Sequence, residues 1–142
     1  MNKIFTFLIA CSFFLFNSCS KDILKSYEDR ILGTWQIDRV NKVGFGGDIE
    51  DLPFQEGNNF TFMENGALEF IGNNGEVYSG SWDMERAYYD DQQVRALHIA
   101  VVNFTTQQLR SELFEEIQFT GTNKFKGFIR QGLHTYVFHF ER

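Results

Sequence analysis

Turn signals recur at short intervals along most of this chain, and their spacing constrains the fold more than any other feature. Asn65-Gly66 and Asn74-Gly75 each separate two runs in which apolar and polar residues alternate. An Asn-Gly pair between such runs is a strong local signal for a β-hairpin. Gly121-Thr122-Asn123 and Gln131-Gly132 supply further turns. The pattern predicts an all-β fold in which successive strands are antiparallel neighbours.

Eight strands are expected from this pattern, and the first of them opens with Gly33-Thr34-Trp35. The two-residue period of a strand places Trp35, Ile37 and Arg39 on one face of it. Aromatic and β-branched side chains are frequent in these runs, as suits a pleated and half-buried surface. The predicted strands cover about residues 32–41, 59–63, 67–71, 76–84, 94–104, 112–119, 124–130 and 134–141.

Two segments depart from the alternating pattern. Residues 86–92 are polar and are expected to form a break that contains a turn at Asp90-Asp91. Residues 105–116 are compatible with either a helix or a strand. Leu109 and Leu113 are spaced as on one face of a helix, whereas Leu113 also lies on the same strand face as residues 117 and 119. We favour a strand from about residue 112 to 119.

Eight antiparallel strands can close into a barrel whose interior holds side chains or one small ligand. Closure pairs the first strand with the last and removes the exposed edges. The sequence therefore predicts an up-and-down barrel over residues 32–142, and an open sandwich is the structural alternative.

The start of the chain has the features of an export signal. A short basic start is followed by a nearly continuous apolar run over residues 4–16, which is shorter than the roughly 20 residues that a membrane-spanning helix needs. Phe16-Asn17-Ser18-Cys19 resembles the bacterial lipobox, which implies that residues 1–18 are removed and that Cys19 carries the lipid. Cleavage as an ordinary secretory signal is the alternative. Residues 19–31 are expected to form a tether and a short helix.

The residues after Cys19 favour an outer-membrane address. Ser20 and Lys21 do not match the aspartate signal for retention in the inner membrane. The phenylalanine-rich signal and short polar tether resemble lipoproteins of Bacteroidetes, some of which face the cell surface. The predicted localisation is the cell envelope, with attachment through the lipid on Cys19.

Charge and cysteine content exclude several classes of protein. The chain has 13 Lys and Arg against 19 Asp and Glu, a formal net charge of −6, without a basic stripe that could neutralise nucleic-acid phosphates. The two cysteines stand at positions 11 and 19, so the predicted folded part has no disulfide and no thiolate metal site. Its stability must come from one apolar core.

No residue set in the chain matches a catalytic or cofactor motif. A nucleophile elbow, a phosphate loop and a zinc helix motif are missing from the sequence. Asp48, Glu50 and Asp51 lack the spacing of a calcium loop and are interpreted as a solvated loop, with weak calcium binding as the alternative. We therefore expect no enzyme activity, no cofactor and no metal.

Several short motifs together resemble the lipocalin-like domains of bacterial lipoproteins. The resemblance covers nearly all of residues 32–142. It depends on Leu32-Gly33-Thr34-Trp35, the long loop 42–58, the hairpin Phe60-Thr61-Phe62 to Asn65-Gly66, Gly80-Ser81-Trp82 and the terminal Phe138-His139-Phe140-Glu141-Arg142. The Thr-Asp-Tyr motif and the disulfides of lipocalins are missing.

The resemblance implies roles for particular residues. Trp35 would close the base of the barrel, with an arginine of a late strand, Arg142 or Arg130, across its ring. The loop 44–57 would lie over the open end as a lid that carries Phe45, Leu52 and Phe54. Inward side chains would line a pocket for a small hydrophobic ligand, and the residues assigned to it are Phe60, Phe62, Phe70, Tyr78, Trp82, His134, Tyr136 and Phe138.

Two functions remain open from the sequence. In the first, the barrel binds a small hydrophobic molecule in an interior void under the lid loop. In the second, the rings fill the interior and the protein is an accessory or inhibitor module that contacts an envelope protein through an exposed apolar patch. The volume of the interior separates them.

Overall fold

A computed structural model describes residues 26–142 and confirms the all-β prediction. Within these residues, one short helix precedes nine strands, and a single 3-10 turn, Ile49–Asp51, lies in the long loop after the first strand. The predicted signal peptide, Cys19 and the start of the tether lie outside the described residues. The elements are α1 (Tyr27–Ile31), β1 (Gly33–Gly44), β2 (Asn59–Phe62), β3 (Ala67–Ile71), β4 (Val77–Tyr89), β5 (Gln92–Asn103), β6 (Gln108–Phe114), β7 (Glu116–Phe119), β8 (Lys124–Gln131) and β9 (His134–Glu141).

All nine strands belong to one antiparallel sheet, in the order β6-β5-β4-β3-β2-β1-β9-β8-β7. The first strand pairs with the last, as predicted, and Val40 stands opposite Phe138. The two edge strands, β6 and β7, follow each other in the chain. No hydrogen-bonded ladder joins these edges within residues 26–142, so the backbone pairing leaves the sheet open there.

The ninth strand arises because the predicted strand 112–119 changes partner at Glu115. Its first part, β6, pairs with β5, and its second part, β7, pairs with β8. The amide of Glu115 already donates to the carbonyl of Phe128 on β8 at 2.9 Å. The ring of Phe114 lies against Gly127 so closely that a Cβ on that glycine would come within 2.6 Å of it. The strand alternative for this segment is correct and the helix alternative is wrong.

The predicted break over residues 86–92 is wrong, although its turn is correct. β4 and β5 remain paired to their ends, where Tyr89 stands opposite Gln92. Asp90 and Asp91 connect them with φ angles of 49° and 60°, the left-handed conformation that a tight type I′ hairpin turn requires. This part of the hairpin, residues 85–95, extends beyond the core, which explains why its sequence is polar; we call it the hairpin arm.

A bulge in β1 alters which residues face inward. The register with β9 shifts between Ile37 and Arg39, which inserts one extra residue, Asp38. Arg39 consequently points to solvent and Val40 takes the inward position, with 5% of its surface exposed. The prediction that Arg39 shares the face of Trp35 is therefore wrong.

The alternating strand directions give the sheet two ends. The helix end carries α1, the hairpin arm and the C-terminal Arg142, and there Arg30 donates to the carbonyl of Gly121 at 3.3 Å. The loop end carries the long loop 45–58 and the turn at Gly132, and there the side chains of Asn58 and Asn73 are hydrogen bonded at 2.9 Å. Residues 26–142 include no helix that is both long and apolar enough to cross a membrane.

Candidate functional site

Trp35 and Arg142 seal the helix end of the molecule. Trp35 is completely buried and its indole nitrogen donates to the carbonyl of Ile31 at 2.6 Å. The guanidinium carbon of Arg142 lies 4.3 Å from the centroid of the Trp35 ring, a cation–π distance. Arg142 also donates to the carbonyls of Leu32 at 2.7 Å and of Thr122 at 3.2 Å. Of the two arginines that the resemblance offered, Arg142 therefore lies on the tryptophan.

The residues assigned to a ligand pocket lie together on the inner side of the sheet. Phe60 has ring neighbours at 5.0 Å (Phe70) and 5.8 Å (Phe140), and Phe138 lies 5.1 Å from Phe114. These buried rings, which we call the ring cluster, thus contact one another across strands that are not neighbours. Seven of the eight assigned residues are buried, and they are Phe60, Phe62, Phe70, Tyr78, Trp82, Tyr136 and Phe138.

The eighth assigned residue, His134, lies partly exposed at the loop end. Its Nδ1 is 3.2 Å from the carbonyl of Phe45, to which a protonated Nδ1 donates. Its Nε2 is buried without a hydrogen bond inside residues 26–142. Gly47 fits over this histidine because a Cβ there would come within 2.5 Å of Nε2 and 2.3 Å of the Tyr136 hydroxyl. His134 therefore supports the loop, and its ring lies 4.9 Å from that of Tyr136 at the edge of the ring cluster.

The long loop covers the loop end of the ring cluster. Phe54 is fully buried, with ring centroids 5.1 Å from those of both Phe60 and Phe70, and Leu52 is buried beside it. The carboxylate of Glu56 accepts from the amide of Val40 at 3.0 Å and fixes the end of the loop to β1. Phe45 differs from the other two predicted lid residues, because 83% of its surface is exposed.

Arg110 is a contributor to this site that the sequence reasoning missed. It lies on the inner side of β6, where its guanidinium carbon is 5.0 Å from the ring of Tyr78 and its Nη1 donates to the carbonyl of Pro53 at 2.9 Å. The predicted strand began at about residue 112. Arg110 therefore fell in a segment for which the sequence did not decide between helix and strand, and its inward position was not predicted. Arg110 ties the lid loop to β6.

Tyr78 supplies a hydroxyl at the rim of the cluster. It lies 2.6 Å from the side chain of Gln108 and 2.9 Å from the carboxylate of Glu76. Burial, followed by the hydrogen bond to Glu76, raises the pKa of Tyr78 above its usual value. The phenol therefore stays neutral at physiological pH and serves as a hydrogen-bonding group.

An exposed apolar set lies at the loop end, where β1 ends and β9 begins. It consists of Val43, Phe45 and Leu133, which are 62%, 83% and 82% exposed, and we call it the apolar tip. The amide of Phe45 donates to the carbonyl of Leu133 at 3.2 Å, which holds the two residues side by side. Sequence reasoning included Phe45 and missed Leu133, although a large apolar residue directly after Gly132 in a tight turn has no inner face to occupy.

A polar cluster bridges the hairpin arm and the outer side of β7 and β8. Arg130 is paired with the buried carboxylate of Glu116 and lies 3.5 Å from that of Glu115. Its guanidinium carbon is 3.4 Å from the ring centroid of Tyr89 in the arm. Burial lowers the pKa of Arg130, but the hydrogen bond and charge of Glu116 outweigh it and leave the pKa above its ordinary value. This cluster holds the arm against the sheet by side chains.

Metal-ligating side chains do not converge in the described part of the chain, where no group of three or more His, Cys, Asp or Glu could hold an ion. The carboxylate of Asp48 instead accepts from the amide of Glu50 at 3.3 Å and caps the 3-10 turn.

Comparisons with known protein families, curated proteins and solved structures give no match for this chain.

Proposed function

We propose that this protein is a lipid-anchored, non-enzymatic barrel of the bacterial cell envelope that contacts a protein partner through the apolar tip. The single observation that carries the proposal is the exposure of Val43, Phe45 and Leu133, three large apolar side chains at the adjoining ends of the paired strands β1 and β9. Contiguous apolar surface on a soluble domain marks an interaction site more often than chance exposure does. The ring contacts on the inner side of the sheet support the same proposal, because inner side chains that pack against one another favour binding through the outer surface.

A lipocalin-like barrel is the closed form that we infer for the sheet. The pairing of β1 with β9 brings the first and last strands together. The remaining edges belong to consecutive strands, and residues of β5 and β7 lie close to each other across the opening. Arg130, Glu116 and Tyr89 bridge the same opening by side chains. We therefore interpret residues 108–119 as one bent strand that pairs with β5 first and with β8 afterwards.

The position of the tether supports presentation of the tip to a partner. The described chain begins at Ser26 at the helix end, only seven residues after Cys19, which span at most about 25 Å. β1 runs from the helix end to the tip over 12 residues, which corresponds to about 40 Å. A lipid on Cys19 would thus hold the helix end near the membrane and direct the tip away from it.

The test compares two triple variants of identical composition. Val43→Ser, Phe45→Ser and Leu133→Ser remove the apolar tip, whereas Val77→Ser, Phe104→Ser and Leu109→Ser remove three other exposed residues of the same types. After crosslinking in cells that make the full-length lipoprotein, proteins recovered with it are quantified by mass spectrometry. We expect a partner that is recovered at least about tenfold less with the tip variant, since several buried apolar contacts are lost.

The control variant should retain that partner at the wild-type level. Equal recovery with both triple variants would overturn the assignment of the tip as the contact surface. Loss of the partner only with the control variant would indicate that the contact surface lies on β4, β5 and β6 instead of the apolar tip.

Transport of a small hydrophobic molecule is a second candidate, favoured by the fact that Phe54 is a buried ring carried by a loop. Displacement of this ring would open a space beside the rings of Phe60 and Phe70 that an apolar molecule of similar size could occupy. The neutral fluorescent probe N-phenyl-1-naphthylamine tests this version. A carrier should bind it with one-to-one saturation in the wild type, and more tightly in Phe54→Ala.

Phe45→Ala serves as the control for the probe experiment, because Phe45 belongs to the same loop but is exposed. It should leave the affinity for the probe unchanged. If Phe54→Ala binds the probe and the wild type does not, the Phe54 ring stays in the ring cluster of the wild type. That result would exclude the carrier function.

A further inference from the structure

A cleft of about 410 Å³ lies at the helix end, between the hairpin arm and β7. It falls where the sheet is not joined by backbone pairing, and its volume is within the roughly 300–1,000 Å³ typical of small-molecule sites. Its lining is polar, unlike the ring cluster inside the sheet. The side chains around it include Tyr27, Arg86, Gln93, Arg95, Glu116 and Gln118.

Two arginines of this cleft stand directly opposite each other on neighbouring strands. Arg86 on β4 is the ladder partner of Arg95 on β5. Directly opposed residues of an antiparallel pair have Cβ atoms about 5 Å apart, so like charges at such positions repel. Arg95 has an ion pair with Glu28 at 3.4 Å. Arg86 has neither an ion pair nor a hydrogen bond with any residue from 26 to 142.

Neighbouring acidic groups do not neutralise Arg86. Glu116 is buried and its carboxylate is occupied by Arg130 and by the side-chain amide of Gln118. Glu28 is engaged with Arg95. The cleft therefore holds one guanidinium, that of Arg86, without a partner among residues 26–142, and a second one that is paired with a single carboxylate. A bound anion would relieve the repulsion between the two guanidinium groups.

We propose that this cleft binds a phosphomonoester group through Arg86 and Arg95. The guanidinium group presents a planar fork of donors that matches the oxygens of phosphate, and two such forks match a dianion. The amides of Gln93 and Gln118 offer further donors, and Tyr27 borders the space left for an organic substituent. This inference does not depend on the apolar tip.

The phosphomonoester can come from two sources, which share this chemistry. One is the headgroup of a membrane lipid, because the cleft lies at the same end as Ser26, where the described chain begins seven residues after Cys19. The other is a soluble phosphate ester. Glycerol 3-phosphate serves as the soluble probe, and dihexanoyl phosphatidic acid in neutral detergent micelles serves as the lipid probe, with dihexanoyl phosphatidylcholine as the blank.

Full-length protein in neutral detergent is titrated with each probe, and binding is measured by calorimetry. We expect Arg86→Gln to weaken phosphomonoester binding by about tenfold, the effect of one lost charge-assisted hydrogen bond. Arg39→Gln is the matched control, since Arg39 is an exposed arginine on β1 that does not line the cleft. Arg86 is itself exposed, so Arg86→Gln should fold normally.

The pattern across the probes identifies the source. Binding of phosphatidic acid alone indicates a lipid headgroup, binding of glycerol 3-phosphate alone indicates a soluble ester, and binding of both indicates a general phosphomonoester site. No binding of either probe would overturn the proposal. An equal loss of affinity in Arg39→Gln and Arg86→Gln would also overturn it, because attraction would then come from overall charge.

Discussion

Replacement of Gly80 by alanine is expected to lower the free energy of unfolding by about 3 kcal/mol or more, at the upper end of the effects of overpacking. Gly80 lies in β4 opposite Val101 of β5. A Cβ at this position would come within 1.9 Å of the carbonyl oxygen of Ala100 and 2.7 Å of the Cα of Val101. These are backbone atoms of a strand that is hydrogen bonded on both sides, so they cannot move aside without breaking the ladder.

Gly121→Ala is the matched control for this prediction. Gly121 has no atom within 4 Å of its ideal Cβ position, and its φ angle is outside the left-handed region. The control should change the free energy of unfolding by no more than about 0.5 kcal/mol. Urea denaturation followed by circular dichroism measures both variants, and similar midpoints for Gly80→Ala and Gly121→Ala would contradict the close approach of β4 and β5.

Local turn chemistry made most of the strands predictable. β3 and β9 have the predicted limits, because each begins after a turn that contains glycine and carries large apolar residues at alternate positions, Leu68 and Phe70 in β3 and Tyr136, Phe138 and Phe140 in β9. The hairpin arm could not be predicted in the same way. It extends beyond the core, so polar residues occupy both of its faces and the alternation that identifies a half-buried strand disappears.

The change of partner at Glu115 depends on contacts between residues distant in sequence. It requires the ring of Phe114 to lie on Gly127 and the carbonyl of Phe128 to accept from Glu115. No local sequence pattern predicts these contacts. The bulge at Asp38 is similar, because an extra residue in one strand is defined by its register with β9 and moves the inward position from Arg39 to Val40.

The candidate site was predictable as a set of inward rings, but the contact of the Phe54 ring with them was not. Alternation along each strand correctly assigns Phe60, Phe70 and Phe138 to the inner side of the sheet. Whether such rings surround a void depends on how far the facing strands are apart and on what the lid loop contributes. Phe54 enters the ring cluster from a loop whose sequence carries no periodicity, whereas Phe45 of the same loop stays exposed.

Replacement of Trp35 by alanine should lower the free energy of unfolding by about 4 kcal/mol, as for other large buried aromatic residues. The indole is fully buried and contacts the ring of Phe125 at 4.8 Å. Its removal also leaves the carbonyl of Ile31, at the end of α1, without its donor. A buried acceptor without a partner adds its own cost to that of the cavity.

Tyr88→Ala is the control, because the Tyr88 ring lies in the hairpin arm with 77% of its surface exposed. It should shift the free energy of unfolding by no more than about 0.5 kcal/mol. Denaturation is followed by circular dichroism, since the substitution removes one of the two tryptophans of the chain. If Trp35→Ala were no more destabilising than Tyr88→Ala, Trp35 would not close the helix end.

A double-mutant cycle with Arg142→Ala tests the contact that seals this end. Arg142 covers the indole and also donates to the carbonyls of Leu32 and Thr122, so its loss should be costly in the wild type. Without the ring of Trp35, only the hydrogen bonds of the Arg142 side chain, to these carbonyls and to the side chain of Asn123, remain to be lost. The two substitutions should therefore be less destabilising together than the sum of their separate effects, by about 1 kcal/mol. Strict additivity would mean that the cation–π contact contributes nothing, and that Arg142 acts through its hydrogen bonds alone.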